Sequence, residues 1–141
     1  MDLGLKGKTA LVTGASEGIG KAIAWKLAEE GVRVAICART VATLQETAAA
    51  ITHATGMEIV PIPADLRHLS GCEGFVEEAA TRLGGIDILV NNAGASAFGA
   101  FMELPDEAFV DAIHGKLLGS ALSISLPLRN ESGRCYMTPV L

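Results

Sequence analysis

Apolar residues fall into two rhythms along this chain, and the rhythms alternate. Residues 9–12, 32–37, 58–62 and 86–90 are short apolar runs bounded by glycine or polar positions, which predicts buried strands. Residues 19–30 set Ile19, Ile23 and Leu27, with Ala22, Trp25 and Ala28, at helical spacing, and Gly31 offers a stop. Residues 44–54 are alanine-rich and close at Gly56, and residues 75–83 close at Gly84-Gly85. Residues 105–126 predict a long helix with Asp106 or a neighbour as its cap. Strands that alternate with helices predict parallel βαβ units, and hence an α/β fold with a doubly wound parallel sheet and right-handed crossovers.

A length of 141 residues suits one domain. The net charge is −5 with no basic cluster, which excludes a nucleic-acid-binding surface. Only 4% of residues are aromatic, so stacking platforms for bases are excluded too. Cys37, Cys72 and Cys135 are widely spaced and form no C-x-x-C pair, which argues against a disulfide framework or a zinc site and fits a reducing, cytoplasmic setting. The first residues lack the apolar core of a signal peptide. The apolar stretch 117–128 is shorter than the roughly 20 residues of a membrane span and reads as a buried helix, so no membrane partner is expected.

The chemistry is concentrated in Thr13-Gly14-Ala15-Ser16-Glu17-Gly18-Ile19-Gly20, which follows the first predicted strand and opens the first helix. Gly14 permits a tight turn, Gly18 lets backbone approach a phosphate with no Cβ in the way, and Gly20 lets the helix pack closely. The helix N-terminus then offers unpaired N–H groups and partial positive charge to a pyrophosphate. Its strand–turn–helix context makes the pattern a dinucleotide site, since a lone glycine pattern is weak. Further along, Asn91-Asn92-Ala93-Gly94 follows the strand 86–90. By composition it is an ordinary turn, in which small residues allow close backbone approach and Asn amides can tie strand ends together.

The spacing T-G-x-x-x-G-x-G and the later N-N-A-G, in that order, resemble the short-chain dehydrogenase/reductase family from residue 5 to about residue 138. The resemblance implies a single NAD(P)-binding domain of Rossmann-like type over residues 1–141, incomplete and truncated after about the fifth strand, with strand order 3-2-1-4 and the fifth as an extension. It implies an NAD(P)-dependent oxidoreductase that moves hydride between NADP(H) and a carbonyl or alcohol, with a small-molecule substrate in a complete protein only. Thr13, Gly14, Ser16, Gly18, Ile19, Gly20, Asn91, Ala93 and Gly94 are the cofactor-binding positions so implied. An acid closing the second strand would bond a ribose 2′-hydroxyl and select NAD, yet that place holds Ala38, followed by Arg39. A guanidinium pairs with a 2′-phosphate, so NADP is expected ahead of NAD, although Glu17 points the other way and Arg39 also reads as a solvated loop cation. Asp65 and Leu66 are implied at the adenine, with a loop carboxylate or helix N-cap as the plainer reading of Asp65.

The chain departs from the family where the chemistry should lie. Family catalysis uses Tyr-x-x-x-Lys with a preceding Ser, and the one tyrosine here, Tyr136, is followed four residues later by Val140. Tyr136 falls within 133–138, where the resemblance places the family's fifth strand, and reads as a strand residue; Thr138 is the nearest hydroxyl to the expected Ser, and no catalytic residue is assigned. Lys116 stands where the family carries an Asn, either as a cation of the active site or as a plain departure, and His114 reads as a helix-surface residue. The predicted helix 105–126 resembles the family's dimer helix, so homo-oligomers through it are expected. The competing expectations are a non-catalytic nucleotide-binding module and a fragment that binds full-length relatives.

Overall fold

The computed structural model describes residues 2–94, 103–118 and 136–139. Five parallel strands form one sheet: β1 (Thr9–Thr13), β2 (Arg33–Ala38), β3 (Ile59–Pro63), β4 (Ile88–Asn91) and β5 (Tyr136–Pro139). Their spatial order is β3-β2-β1-β4-β5, which is the expected order with the fifth strand added beside the fourth. The chain winds outward from β1 through β2 to β3, then crosses back to β4, so direction reverses between β1 and β4. Ligands of open α/β sheets bind outside the carboxyl ends of the strands at such a reversal.

Strand residues alternate between two cores, because successive side chains point to opposite faces. Ala10, Val12, Val34, Ile36 and Val90 face the helices α1 (Gly18–Glu29) and α2 (Val41–Thr55) in one buried cluster. Leu11, Ala35, Cys37, Val60 and Leu89 face α3 (Leu69–Leu83) in the other, together with Phe75. Phe75 is 1% exposed, and burial of a side chain of this size stabilises by about 1.5–3 kcal/mol. The fold is thus helix, sheet, helix, which explains why its strands read as nearly continuous apolar runs. The three strand prolines, Pro61, Pro63 and Pro139, lie in the two outer strands of this sheet, where a missing N–H costs least.

Several predicted boundaries shift, and each shift has a cause. In α1 the buried residues are Gly20, Ala24 and Ala28, while Ile19 is 66% exposed. Ile19 sits in the first turn of the helix, on the face turned away from the sheet, so it is not core. Helix α2 starts at Val41, before the apolar spacing begins at Leu44. Helix α3 starts at Leu69, six residues before the predicted start, with Gly71 and Gly74 inside it. Gly71 is tolerated there because the helix passes against the Asp65 carbonyl, which a Cβ would strike.

The predicted helix 105–126 begins as α4 (Asp106–Ala112) and continues as a π-helical segment, Ile113–Leu118. Pro105 holds the N-cap position and Asp106 is already helical, so Asp106 is not the cap. Leu117 is 66% exposed, against the buried helix expected at 117–128, and Phe109, Val110 and Ile113 join it as an exposed apolar row. Residues 119–126 of that prediction, and 133–135 of the predicted fifth strand, lie outside the described residues. Among the described residues no helix is long and apolar enough to cross a membrane.

Candidate functional site

The ends of β1 and β4 are locked together by one hydroxyl and one amide. The Thr13 hydroxyl accepts from the Asn92 and Ala93 N–H groups, each at 2.9 Å, and donates to the Val90 carbonyl at 3.4 Å. The Asn92 amide donates to the Thr13 carbonyl at 3.1 Å and to the Gly14 carbonyl at 3.0 Å. Thr13 is 1% exposed, so its side chain is committed to holding the two strand ends together. This latch holds Thr13-Gly14 against Ala93-Gly94, the two motifs that the sequence singled out. Asn92 was not among the expected cofactor positions, whereas Asn91 was. Asn91 ends β4 in register with Pro139, and the alternation of the strand turns Asn92, not Asn91, toward the glycine turn.

The glycines have separate local causes. Gly14 has φ +63°, and a Cβ on it would lie 2.8 Å from the Ala93 Cα, so both conformation and space require glycine. Gly18 has φ +57°, so conformation alone requires glycine there, and the space around its missing Cβ is open. Gly20 is helical, and its Cβ would strike the Asn92 amide and the Gly14 carbonyl. Its role is therefore to let the helix close on the turn and the latch, a more local contact than packing on the sheet.

Helix α1 opens from Glu17 with no side-chain cap and no acidic residue in its first turn. Its first N–H groups thus keep their donors and partial positive charge for an anion. The turn is braced from behind, because the buried Thr47 of α2 donates its hydroxyl to the Ser16 carbonyl at 2.7 Å.

A cleft of about 300 Å³ lies over these strand ends. Of the expected cofactor positions, Gly14, Ser16, Arg39, Asp65, Leu66, Ala93 and Gly94 line it. Thr13, Gly18, Ile19, Gly20 and Asn91 do not line it, and of these Gly18 and Ile19 stand exposed at the start of α1. Arg39 is exposed and, among the described residues, makes no ion pair, which leaves its donors available to a phosphate. Cys37 lines the floor beneath, but burial pushes its thiol up to about 12, so it is inert as a nucleophile.

Two charged lining residues were missed by the sequence reading, Arg67 and Asp111. Arg67 grips Asp65 with its Nη2 at 2.6 Å and its Nε at 3.0 and 3.2 Å, and its backbone N–H donates to Asp65 Oδ1 at 3.1 Å. The guanidinium hydrogen bonds hold the Asp65 carboxyl at about 2, well below its ordinary value. Asp65 does not cap α3, whose N-cap position is His68. Arg67 also reaches Asp111 of α4 at 3.2 Å. The local Asp-x-Arg spacing was a usable signal for the first pair, whereas nothing local announces a partner 44 residues away.

On the far side, the exposed Lys116 runs its stem over Gly94, where a Cβ would meet the Lys116 side chain. His114 is half-buried in the π-helical segment, not fully on the surface. Tyr136 opens β5 opposite Ile88, as a strand residue.

Similarity to known proteins follows the same lines. The short chain dehydrogenase family profile matches residues 8–130. Hydroxysteroid dehydrogenase-like protein 2 of Rattus norvegicus is 42% identical over 107 residues, which span 72% of this chain and 20% of that protein. The L-sorbose reductase of Gluconobacter frateurii, solved with NADPH and L-sorbose, is 33% identical with a TM-score of 0.85, over 92% of this chain and 49% of that one. A short chain dehydrogenase of Burkholderia cenocepacia, solved with NADP, is 36% identical with a TM-score of 0.84, over 93% of this chain and 54% of that one. The chain therefore spans about half the length of these solved relatives.

Proposed function

Because this chain belongs to the short-chain dehydrogenase/reductase family, whose members are NAD(P)-dependent oxidoreductases, we propose that residues 1–141 form a single NADP-binding domain of such an enzyme. The reaction served is hydride transfer between NADP(H) and a carbonyl or alcohol of a small molecule. The carrying observation is the pairing, on one cleft, of an uncapped α1 N-terminus with Arg39, which makes no ion pair among the described residues: donors for a pyrophosphate and for a 2′-phosphate. Relatives solved with NADPH or NADP support NADP ahead of NAD.

In this reading Gly14, Ser16, Gly18, Ile19 and Gly20 present backbone to the pyrophosphate, and Thr13 acts by holding that backbone in place. Asp65 and Leu66 flank the adenine, and Asn91, Ala93 and Gly94 lie along the ribose side. When bound, the nicotinamide supplies the hydride chemistry. The protein's part is to orient it and to exclude water. The 141 residues hold no Tyr-x-x-x-Lys, so proton transfer to the substrate oxygen has no donor of the family type. The chain alone therefore binds NADPH and turns over very slowly. The exposed row Phe109, Val110, Ile113 and Leu117 supports association of copies through the helix that starts at Asp106. The buried thiols Cys37 and Cys72 suit a reducing, cytoplasmic setting.

Equilibrium titration with NADPH, followed by NADPH oxidation against a panel of carbonyl compounds, tests this. Micromolar binding without turnover is the expected result. Robust oxidation would overturn the inactivity, and no binding would overturn the cofactor assignment.

A further inference from the structure

Five charged side chains line the cleft: Glu17, Arg39, Asp65, Arg67 and Asp111. Carboxylates outnumber guanidiniums by one, which is an unfavourable balance for a polyanionic dinucleotide. Arg67 contacts two of the three carboxylates at once and cancels one of their two charges, so that the excess does not grow beyond one. It is bidentate on Asp65 and reaches Asp111 on α4 at 3.2 Å. Asp65 and Arg67 are each about one-third exposed and Asp111 about half, so water only partly screens the three charges. Helix α4 buries none of its residues, and the Arg67–Asp111 pair ties it to the cleft rim.

We propose that Arg67 is a specificity-determining residue for the nucleotide: by cancelling one of the two charges of Asp65 and Asp111 it holds the net negative charge of the cleft to one and so lets Arg39 admit the extra phosphate of NADP. Arg67 does this without touching the 2′-phosphate. Its removal leaves three carboxylates facing one guanidinium, and the penalty falls on the ligand with more negative charge. The inference rests on the nucleotide-binding reading above, and it adds a residue that the glycine turn and Arg39 do not supply.

Parallel titrations of the full chain with NADPH and with NADH test it. For Arg67→Gln, NADPH affinity is expected to fall about five-fold at low salt, the size of a two-charge interaction screened by water over about 10 Å. NADH affinity is expected to fall less than about two-fold, and the difference is expected to close near 1 M salt, where the screening length is about 3 Å. Arg67→Lys, which keeps the charge, is expected to retain the NADPH preference. Asp111→Asn, an exposed and structurally mild change, is expected to tighten NADPH binding at low salt and gives an independent readout should Arg67→Gln fail to fold.

An unchanged NADPH-to-NADH ratio in Arg67→Gln, a loss that salt does not relieve, or an Asp111→Asn variant that binds NADPH no tighter would overturn the proposal. If the unmodified chain binds neither nucleotide, the cofactor assignment falls and this inference falls with it. If it binds NADPH and the variants match it, only this inference falls.

Discussion

Thr13→Val removes one oxygen from the centre of the latch and keeps the shape of the side chain. The hydroxyl accepts from two N–H groups at 2.9 Å, those of Asn92 and Ala93, and Thr13 itself is 1% exposed. Valine leaves both donors without that acceptor, and an unsatisfied buried donor costs about 1–3 kcal/mol. Asn92 and Ala93 are half-buried, so water relieves part of this, and the combined cost is about 2–4 kcal/mol. Thr13→Ser keeps the oxygen and loses one methyl, a cost of about 1 kcal/mol. Unfolding entropy of about 2.1 cal/mol/K per residue gives about 0.3 kcal/mol/K for a chain of this length. Thr13→Val should therefore lower Tm by about 10 °C and Thr13→Ser by about 3 °C. The assay is thermal unfolding of the full chain by circular dichroism, with an NADPH titration beside it. NADPH affinity should fall more in the valine variant, because the freed backbone of Ala93 and Gly94 lines the cleft. Equal melting temperatures for the two variants would refute the latch. A loss of NADPH affinity with unchanged Tm would instead make Thr13 a direct ligand contact.

Three further outcomes are expected. Arg39→Ala should weaken NADPH binding about 10- to 100-fold and leave NADH nearly unchanged, since a hydrogen bond to a charged group is worth about 1.5–3 kcal/mol; calorimetry with both nucleotides checks this. Gly14→Ala should destabilise the fold more than Gly18→Ala, because both have positive φ but only Gly14 has a neighbour 2.8 Å from the added Cβ; Gly18→Ala should act mainly on NADPH affinity, and paired melts and titrations separate the two effects. Asp65 has its carboxyl held at about 2 by Arg67, below its ordinary 3.8, so its stabilising pair is present above 3.8 and is lost as pH falls toward about 2. Acid melts should show the unmodified chain losing stability across that window more steeply than Asp65→Asn.

The sheet was legible because parallel strands are buried on both faces. Runs such as Leu11-Val12 and Val34-Ala35-Ile36 carry that signal without alternation, and the strand order followed from the family resemblance. Helix starts were less legible. Helix α3 begins six residues early because Gly71 is kept for a tertiary reason, a carbonyl of Asp65 in its path, and a glycine in a window normally argues against helix. The break at Ile113 into π-helical geometry leaves no mark in the apolar spacing of residues 105–126. In the site, backbone requirements were readable from Gly14, Gly18 and Gly20, since each residue type reports a local constraint. The side-chain partners were not. Which of two adjacent asparagines faces the turn depends on strand phase, and the reach of Arg67 to Asp111 depends on how α4 docks.

The central claim is that this cleft takes NADP, and calorimetric titration of the full chain with NADPH and NADH tests it most directly. The account predicts micromolar binding of NADPH and at least about ten-fold weaker binding of NADH, the contribution expected of a guanidinium on the 2′-phosphate. Tighter binding of NADH, or no heat from either nucleotide, would contradict it.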